Sequence, residues 1–221
     1  MRRPCSRMLV LILIMVVLGL GPGAWAAGEG PETAVEGKNE VPLSPASLFG
    51  LGRQKIGLAV GYGFAIPLGG TGGDVEDIQY TYVAPHWGIG ISNPIGGDSW
   101  YRGNVELLME GAFIINFEPK SGFAGGATAM LRYNFLPGGN FIPFIELGGG
   151  IVSLDFDLED DQSDGFNFTP QGGVGFHYFV SERTALTAQW RLHHISNAGI
   201  NEPNDGINSS LFLIGVSAFL D

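Results

Sequence analysis

A histidine and a serine stand two positions apart near the C-terminus of this chain. They are His194 and Ser196, in the stretch HHISNAGINEPNDGIN at residues 193–208, which ends in a loop rich in Asn, Gly and Pro. Side chains two positions apart on a β-strand lie on the same side, so the hydroxyl and the imidazole can form a hydrogen bond. An imidazole that accepts the proton of a serine hydroxyl makes its oxygen a nucleophile for acyl transfer. The same residue types also occur where a polar strand end enters a turn, so the fold must be established first.

The first 26 residues have the order of a secretory signal peptide. Arginines precede an apolar run from Met8 to Leu20, and small residues at Ala24 and Ala26 follow it. The run is shorter than the ~20 residues that a helix needs to cross a bilayer, so cleavage after Ala26 or Ala27 is favoured over a membrane anchor. Cys5 is the only cysteine and leaves with this segment, so we expect no disulfide or thiolate metal site in the mature chain.

The charge of the chain argues against one large class of partners. Its formal net charge is −11, and loss of the basic leader makes the mature part more acidic, which disfavours nucleic-acid binding. Residues 27–50 are polar, with several Pro, Gly and Glu, as in a flexible periplasmic leader. The acidic stretch from Asp157 to Asp164 is interpreted as a solvated loop. No cluster has metal-ligand spacing, so neither a metal nor a cofactor is predicted.

From about Lys55 onward, apolar residues alternate with polar or small ones. In KIGLAVGYGFAI, residues 55–66, every even position is apolar and every odd position is Lys, Gly or Ala. A period of two is that of a β-strand, and runs of about nine to twelve residues have the length of membrane-crossing strands. The pattern recurs about eight times with turn signals between the runs, and no long amphipathic helix interrupts it.

Alternating strands behind a signal peptide indicate either a soluble β-sandwich or a closed outer-membrane barrel. These strands carry aromatic residues near their ends and polar residues on the face opposite the apolar row, as in a membrane barrel with a filled interior. The residues predicted to fill that interior are Glu106, Glu110, Arg132, Glu146, Gln189 and Arg191. We therefore predict an all-β chain in which residues 51–221 form an eight-stranded antiparallel transmembrane β-barrel.

The barrel prediction places the histidine and the serine on the outer wall. The outward row of the seventh strand ends in Trp190, Leu192, His194 and Ser196. His193 then points into the interior, so it cannot readily share a metal with His194. Counting crossings from a periplasmic N-terminus puts this strand end at the cell surface. The outward row of the eighth strand reaches back to Asn208, whose amide oxygen can accept from the imidazole N–H and fix its tautomer.

The rim residues also resemble those of a known family. His194 to Gly199, followed by Asn204, Asp205, Gly206 and a final strand, is similar to the lipid A 3-O-deacylases, eight-stranded outer-membrane barrels that remove an ester-linked acyl chain from lipopolysaccharide. The resemblance is sharpest over residues 190–220. It implies that the histidine and serine of H-x-S are base and nucleophile. Asn208 stands where that family has a glutamate that orients the histidine.

Outer-membrane phospholipase A, a larger twelve-stranded barrel, is similar in another respect. It uses H-x-S-N with an asparagine as the third member, and this chain is too short for twelve crossings. The two resemblances together imply a Ser196, His194 and Asn208 set, with Glu202 as an alternative orienter. Replacing Asn208 by Glu is expected to retain or raise activity, because it restores a carboxylate near the imidazolium.

The resulting prediction is a serine esterase that cleaves lipid A of lipopolysaccharide in the outer leaflet. The predicted oxyanion donors are the backbone N–H groups of Asn197, Ala198 and Gly199, and the predicted acyl-chain contacts are Trp190 and Leu192. An outer-membrane phospholipase and a non-enzymatic structural or adhesive barrel are the alternatives. A narrow channel is disfavoured because side chains fill the interior of so small a barrel. The sequence leaves the oligomeric state open, a homodimer included.

We expect this protein to behave as a heat-modifiable barrel in the outer-membrane fraction. A closed barrel satisfies all of its backbone hydrogen bonds internally, so the unboiled form should resist detergent and migrate differently from the boiled form in electrophoresis. Recovery of the chain from periplasmic extracts without detergent would contradict the architecture.

Overall fold

The chain forms one antiparallel β-sheet that closes on itself. The computed structural model describes residues 44–68, 78–156 and 162–220. Its strands are β1 (Gln54–Ala65), β2 (Gln79–Gly90), β3 (Gly103–Glu118), β4 (Gly122–Phe135), β5 (Phe141–Leu154), β6 (Gly165–Phe168), β7 (Gln171–Phe179), β8 (Thr184–Ile195) and β9 (Ile207–Phe219). Each strand pairs antiparallel with the next one along the chain, except that β6 and β7 both pair with β5, and β9 pairs with β1 to close the sheet.

Two of these strands make a single crossing of the barrel. Both β6 and β7 pair with β5, and only Thr169 and Pro170 separate them. Proline has no N–H to donate to a neighbouring strand, which explains a break at this position. The closed sheet therefore has eight crossings, and the predicted eight-stranded antiparallel barrel is confirmed. In the described ranges no helix is long and apolar enough to span a membrane.

The side chains alternate between an exposed apolar outer wall and a buried lumen. In β1 the even positions such as Ile56 and Phe64 are exposed, whereas Lys55 and Ala59 are buried. In β8 Leu186 and Leu192 face outward, and Arg191 is fully buried. A wall of large apolar side chains is unfavourable in water, at about 25 cal/mol per Å², but matches the hydrocarbon of a bilayer. The alternation of residue types in the sequence thus corresponds to the alternation of side chains between the lipid-facing wall and the lumen.

An ion-pair network fills the middle of the lumen. Among the described residues the pairs are Lys55–Glu106 at 2.9 Å, Arg132–Glu146 at 2.7 Å, Arg191–Glu110 at 2.7 Å and Arg191–Glu146 at 2.7 Å. The Gln189 amide oxygen accepts from Arg132 at 3.1 Å. All six side chains predicted to fill the lumen are buried. Because Glu146 bonds to two guanidinium groups, it is the carboxylate that links the network.

Glycines give the large lumen side chains the room they need. A Cβ built on Gly63 would lie 2.1 Å from the Tyr80 ring, and one on Gly88 would lie 2.0 Å from a Glu106 oxygen. Both glycines face the lumen. Gly63 lies on β1, which pairs with the strand that carries Tyr80, and Gly88 lies on β2, which pairs with the strand that carries Glu106. The interior of a narrow barrel therefore combines large side chains with glycines that leave room for them.

A short N-terminal segment packs against the barrel end at which β1 begins and β9 ends. Pro45–Leu48 is a 3-10 helix, and Leu48 and Phe49 are buried. They pack in a cluster with Leu136, Ile142, Phe179, Ala185 and Phe219. The leader predicted for residues 27–50 is described only from residue 44, and that described part is packed rather than free. The apolar side chains of Leu48 and Phe49 explain the difference, because they pack against the apolar residues at this end of the barrel.

Other sequence predictions lie largely outside the described residues. The signal peptide predicted for residues 1–26 is among them, as are residues 157–161 of the acidic stretch predicted to be a solvated loop. Within the rest of that stretch Gln162 and Ser163 are buried and Asp164 is exposed. Gln162 donates to Asn167 at 2.8 Å, so the end of this loop packs onto the barrel rim.

Glu146→Gln should destabilise the barrel by about 3–5 kcal/mol, because Arg132 and Arg191 would stay buried with one carboxylate fewer. Denaturant unfolding of the barrel in lipid vesicles measures the difference. The control is Glu182→Gln in the exposed turn between β7 and β8, which should change stability by no more than about 0.5 kcal/mol. Equal stabilities for the two variants would show that the lumen network tolerates an unpaired cation.

Candidate active site

The register of β8 and β9 brings His194 beside Asn208. The two residues are direct partners across the strand pair, and the His194 Nδ1–H donates to Asn208 Oδ1 at 2.8 Å. Both side chains are half-buried on the outer wall. A proton held on Nδ1 leaves Nε2 with its lone pair free, which is the form of imidazole that accepts a proton. The pairing predicted between these two residues is present.

Ser196 lies one residue beyond the end of β8 on the same outer side. Its backbone exchanges two hydrogen bonds with Phe168, at 2.8 and 3.1 Å, and its side chain is half-buried. In the described part of the chain no hydrogen bond joins its hydroxyl to His194. Nucleophile and base are often too far apart or poorly aligned in ligand-free enzymes and come together with substrate. The structure thus places Ser196 next to the His194–Asn208 pair without a bond between them.

The wall below the rim carries the two predicted acyl-chain contacts. Leu192 is 40% exposed on the outer surface, and Trp190 is half-buried there. The indole N–H of Trp190 donates to the Ser210 hydroxyl at 2.7 Å, which holds the ring against β9. Phe212, the partner of Trp190 across the strand pair, is also exposed. The result is a continuous apolar surface that runs from the rim down the barrel.

The loop after Ser196 is organised by the side chain of Asn197. This amide oxygen accepts from the N–H groups of Gly199 and Ile200 at 2.9 and 3.0 Å, and its NH₂ donates to Ser163 and to the Asn201 carbonyl, both at 2.8 Å. Asn197 is fully buried. Its side chain therefore ties the β8–β9 loop to the loop that precedes β6.

Of the three predicted oxyanion donors, two are occupied within the loop. The Asn197 N–H donates to Asn204 Oδ1 at 2.8 Å, and the Gly199 N–H donates to Asn197. The Ala198 N–H has no acceptor among the described residues. Ala198 is exposed and has a positive φ of 56°, a backbone conformation that costs energy for a residue with a Cβ. Of the predicted donors, Ala198 is the one free to bind an incoming oxygen.

Gly206 closes the site on the far side of the imidazole. Its φ is +78°, and a Cβ built on it would lie 2.8 Å from His194 Cε1. Only a residue without a side chain allows this close approach, and glycine adopts the positive φ at no steric cost. The loop backbone at Gly206 thus limits how far the His194 ring can move.

The remaining candidates lie apart from this pair. Glu202, the alternative orienter, is exposed and makes no hydrogen bond to His194 in the described chain. His193 points into the lumen, where Nδ1 is 2.9 Å from the Tyr80 hydroxyl. The described residues hold no group of three or more His, Cys, Asp or Glu side chains placed to bind a metal.

The structure adds contacts that the sequence reasoning missed. The Asn208 NH₂ donates to the Leu68 carbonyl at 3.1 Å, and the Asn208 carbonyl accepts from the Ile66 N–H at 2.8 Å. Ser163, which holds Asn197, also belongs to a distant loop. Backbone groups carry no sequence signal, and Ser163 lay within a stretch interpreted only as solvated. No pattern in the chain indicated these contacts.

A closed antiparallel sheet with an apolar outer wall and a charged, filled lumen defines a membrane-spanning β-barrel, here with a His–Asn pair and a serine on its outer rim. Residues 72–217, more than half of the chain, match the model of the family described as lipid A 3-O-deacylase (PagL). The protein belongs to this family. The predicted resemblance to the lipid A 3-O-deacylase family is thereby confirmed.

Individual relatives agree with this assignment. The lipid A deacylase PagL of Pseudomonas aeruginosa strain PAO1 is 37% identical over 78 residues, which are 34% of this chain and 43% of that protein. The matched stretch thus spans less than half of the curated relative. The crystal structure of the outer membrane enzyme PagL superposes with a TM-score of 0.54 at 18% identity, covering 73% of this chain and 97% of that one. This likeness shows a shared fold.

Gly206→Ala should displace the His194 ring and weaken its hydrogen bond to Asn208, because the new Cβ would overlap Cε1. The ¹⁵N chemical shifts of the imidazole measure the loss of the Nδ1–H form. Gly165→Ala is the matched control, since Gly165 has a φ of +81° and open space where a Cβ would go. Both variants bear the strain of a positive φ, about 1 kcal/mol, but only the first should change the imidazole spectrum. Unchanged spectra in both variants would show that the loop yields instead.

Proposed function

We propose that this protein is a serine esterase of the outer membrane that hydrolyses an ester-linked acyl chain of lipid A. The observation that carries the proposal is the 2.8 Å hydrogen bond from His194 Nδ1 to Asn208, on the outer rim beside Ser196, in a member of the lipid A 3-O-deacylase family. That bond leaves Nε2 to accept a proton. A lipid ester is the substrate that an outward-facing rim can reach.

The strand count supports a site on the outer leaflet. After eight crossings β9 ends beside the start of β1, so both lie at one end of the barrel, and the β8–β9 loop lies at the other. In outer-membrane barrels the chain ends face the periplasm. His194 and Ser196 are then at the level of the lipopolysaccharide head groups. The predicted cleavage of residues 1–26 and a leader up to residue 50 fit this export route.

Ester cleavage would proceed through an acyl-enzyme. His194 Nε2 accepts the proton of Ser196 as the serine oxygen attacks the ester carbonyl carbon, and the carbonyl oxygen becomes an oxyanion. The Ala198 N–H donates to that oxyanion. When the bond to the sugar oxygen breaks, the imidazolium returns its proton to that oxygen. Water, deprotonated by the same imidazole, then attacks the acyl carbonyl carbon. The bond to the serine oxygen breaks, the imidazolium returns the proton to that oxygen, and the fatty acid leaves.

Asn208 acts on His194 and does not itself contact the reacting ester. Its amide oxygen keeps the Nδ1–H form of the ring, so that Nε2 is the basic nitrogen. An amide lacks the negative charge that a carboxylate would place beside the imidazolium. We therefore expect the same chemistry as in family members that have a glutamate at the corresponding position, but slower turnover.

Trp190 and Leu192 would line the path of the acyl chain. Because lipid chains are already in an apolar medium, the hydrophobic effect provides little driving force for moving one onto the barrel wall. Selection must then come from shape. The Trp190 ring, held by Ser210, provides a rigid surface at a fixed distance below the rim.

A phospholipid is the second candidate substrate, and the observation in its favour is Asn208. An asparagine in the third position is the feature that resembles outer-membrane phospholipase A. The acyl ester chemistry is the same for either lipid, and the head group decides between them. A non-enzymatic barrel is the alternative if neither lipid is cleaved.

Ser196→Ala and His194→Ala should each lower ester cleavage by at least about a hundredfold while leaving the barrel folded, because both side chains lie on the rim. The assay incubates refolded protein with lipid A and, separately, with phospholipid, and identifies products by mass spectrometry. Ser209→Ala is the control, since Ser209 faces the lumen one residue away from Asn208. Near-native cleavage by either rim variant would exclude this mechanism. Release of fatty acid from phospholipid alone would identify the protein as a phospholipase.

A further inference from the structure

We infer that the backbone between β1 and β2, at Ile66 and Leu68, positions the third member of the catalytic set and makes an amide, not a carboxylate, the group required at residue 208. The inference rests on the proposed function for its catalytic meaning. It assigns a positioning role to two backbone groups that lie more than a hundred residues before the H-x-S motif.

Three hydrogen bonds hold Asn208. Its backbone carbonyl accepts from the Ile66 N–H at 2.8 Å, its NH₂ donates to the Leu68 carbonyl at 3.1 Å, and its Oδ1 accepts from His194 at 2.8 Å. Residues 66–68 therefore hold Asn208 through both its main chain and its side chain. A side chain bonded at both ends has one orientation, so the imidazole is held as well.

The chemistry of these partners decides which way the amide points. A backbone carbonyl has no proton to donate, so only the NH₂ of Asn208 can face Leu68. The amide oxygen must then face His194 and select the Nδ1–H form of the ring. Leu68 thus determines the histidine tautomer through Asn208, without touching the histidine.

The same geometry opposes a carboxylate at this position. In an Asn208→Asp variant the shape is unchanged, but a charged oxygen replaces the NH₂ and meets the Leu68 carbonyl at about 3 Å with no proton between them. A glutamate is longer by one methylene and would also have to displace the segment. Because of the Leu68 contact, we therefore expect Asn208→Glu to lower activity, the opposite of the expectation from the sequence.

Residues 66–68 stand outside the part of the chain that matches the family model. That match begins at residue 72, after both Ile66 and Leu68. Each polar end of the Asn208 amide has a partner: the NH₂ donates to the Leu68 carbonyl, and the oxygen accepts from His194. A carboxylate could use only one of these partners.

Asn208→Asp is the sharpest test, because it exchanges the NH₂ facing Leu68 for an oxygen and preserves the acceptor facing His194. We expect kcat on the ester substrate to fall by about tenfold or more, with KM changed by less than about twofold. Asn208→Glu should show no recovery. Asn201→Asp is the control, since it adds the same charge to an exposed side chain of the β8–β9 loop and should retain native kcat. Heat-modifiable migration verifies that every variant is folded.

Hydrogen exchange at the Ile66 amide provides a readout that does not depend on catalysis. If the carboxylate repels the Leu68 carbonyl, the segment should loosen, and this amide should exchange at least about tenfold faster in Asn208→Asp than in the unmodified protein. An Asn208→Asp enzyme as fast as or faster than the unmodified one, or unchanged exchange at Ile66, would overturn the inference. Absence of lipid cleavage by the unmodified protein would overturn the proposed function instead, and the exchange comparison would still test the Leu68 contact.

Discussion

The constraint on which this structure depends is that backbone N–H and C=O groups have no water to bond with in a bilayer. A sheet can satisfy them all only by closing, and here the closure is the pairing of β9 with β1 from Lys55 to Ala65. Closure at eight crossings leaves a lumen too narrow for water to solvate charges well. The carboxylates and cations placed there must therefore neutralise one another, as Glu146 does with two arginines.

Because side chains alternate between the two faces of a strand, a single strand carries buried lumen residues on one face and candidate catalytic residues on the other. On β8 the odd positions end in Arg191 and His193, which are buried in the lumen, and the even positions end in Leu192 and His194 on the outer wall. Two consecutive histidines thus have different surroundings, one bonded to Tyr80 and the other to Asn208. The rigid barrel supplies the register, and the rim contributes the groups that meet the lipid.

The rim is held by polar contacts from loops that are distant in sequence. Asn197 is bound to Ser163 before β6, Ser196 pairs with Phe168, and Asn208 is bound to the segment after β1. Each contact ties the β8–β9 loop or the start of β9 to a different neighbour. Such a site can keep its histidine oriented without burying it, which a site for a laterally arriving lipid requires.

The sequence by itself determined the barrel, the two faces of each strand, six of the side chains that fill the lumen and the family. Those properties follow from a local period of two and from residue types, both of which can be read along the chain. It also placed Asn208 beside His194, because the outward row of the last strand extends back to Asn208 next to the outward row that ends in His194. Only the tertiary structure decided which cations pair with which carboxylates, that Leu48 and Phe49 pack against the barrel end, and that Leu68 faces Asn208. The physical reason is that these contacts join segments far apart in the chain. The last of them is made by a backbone carbonyl, which every residue has, so no residue type indicates it.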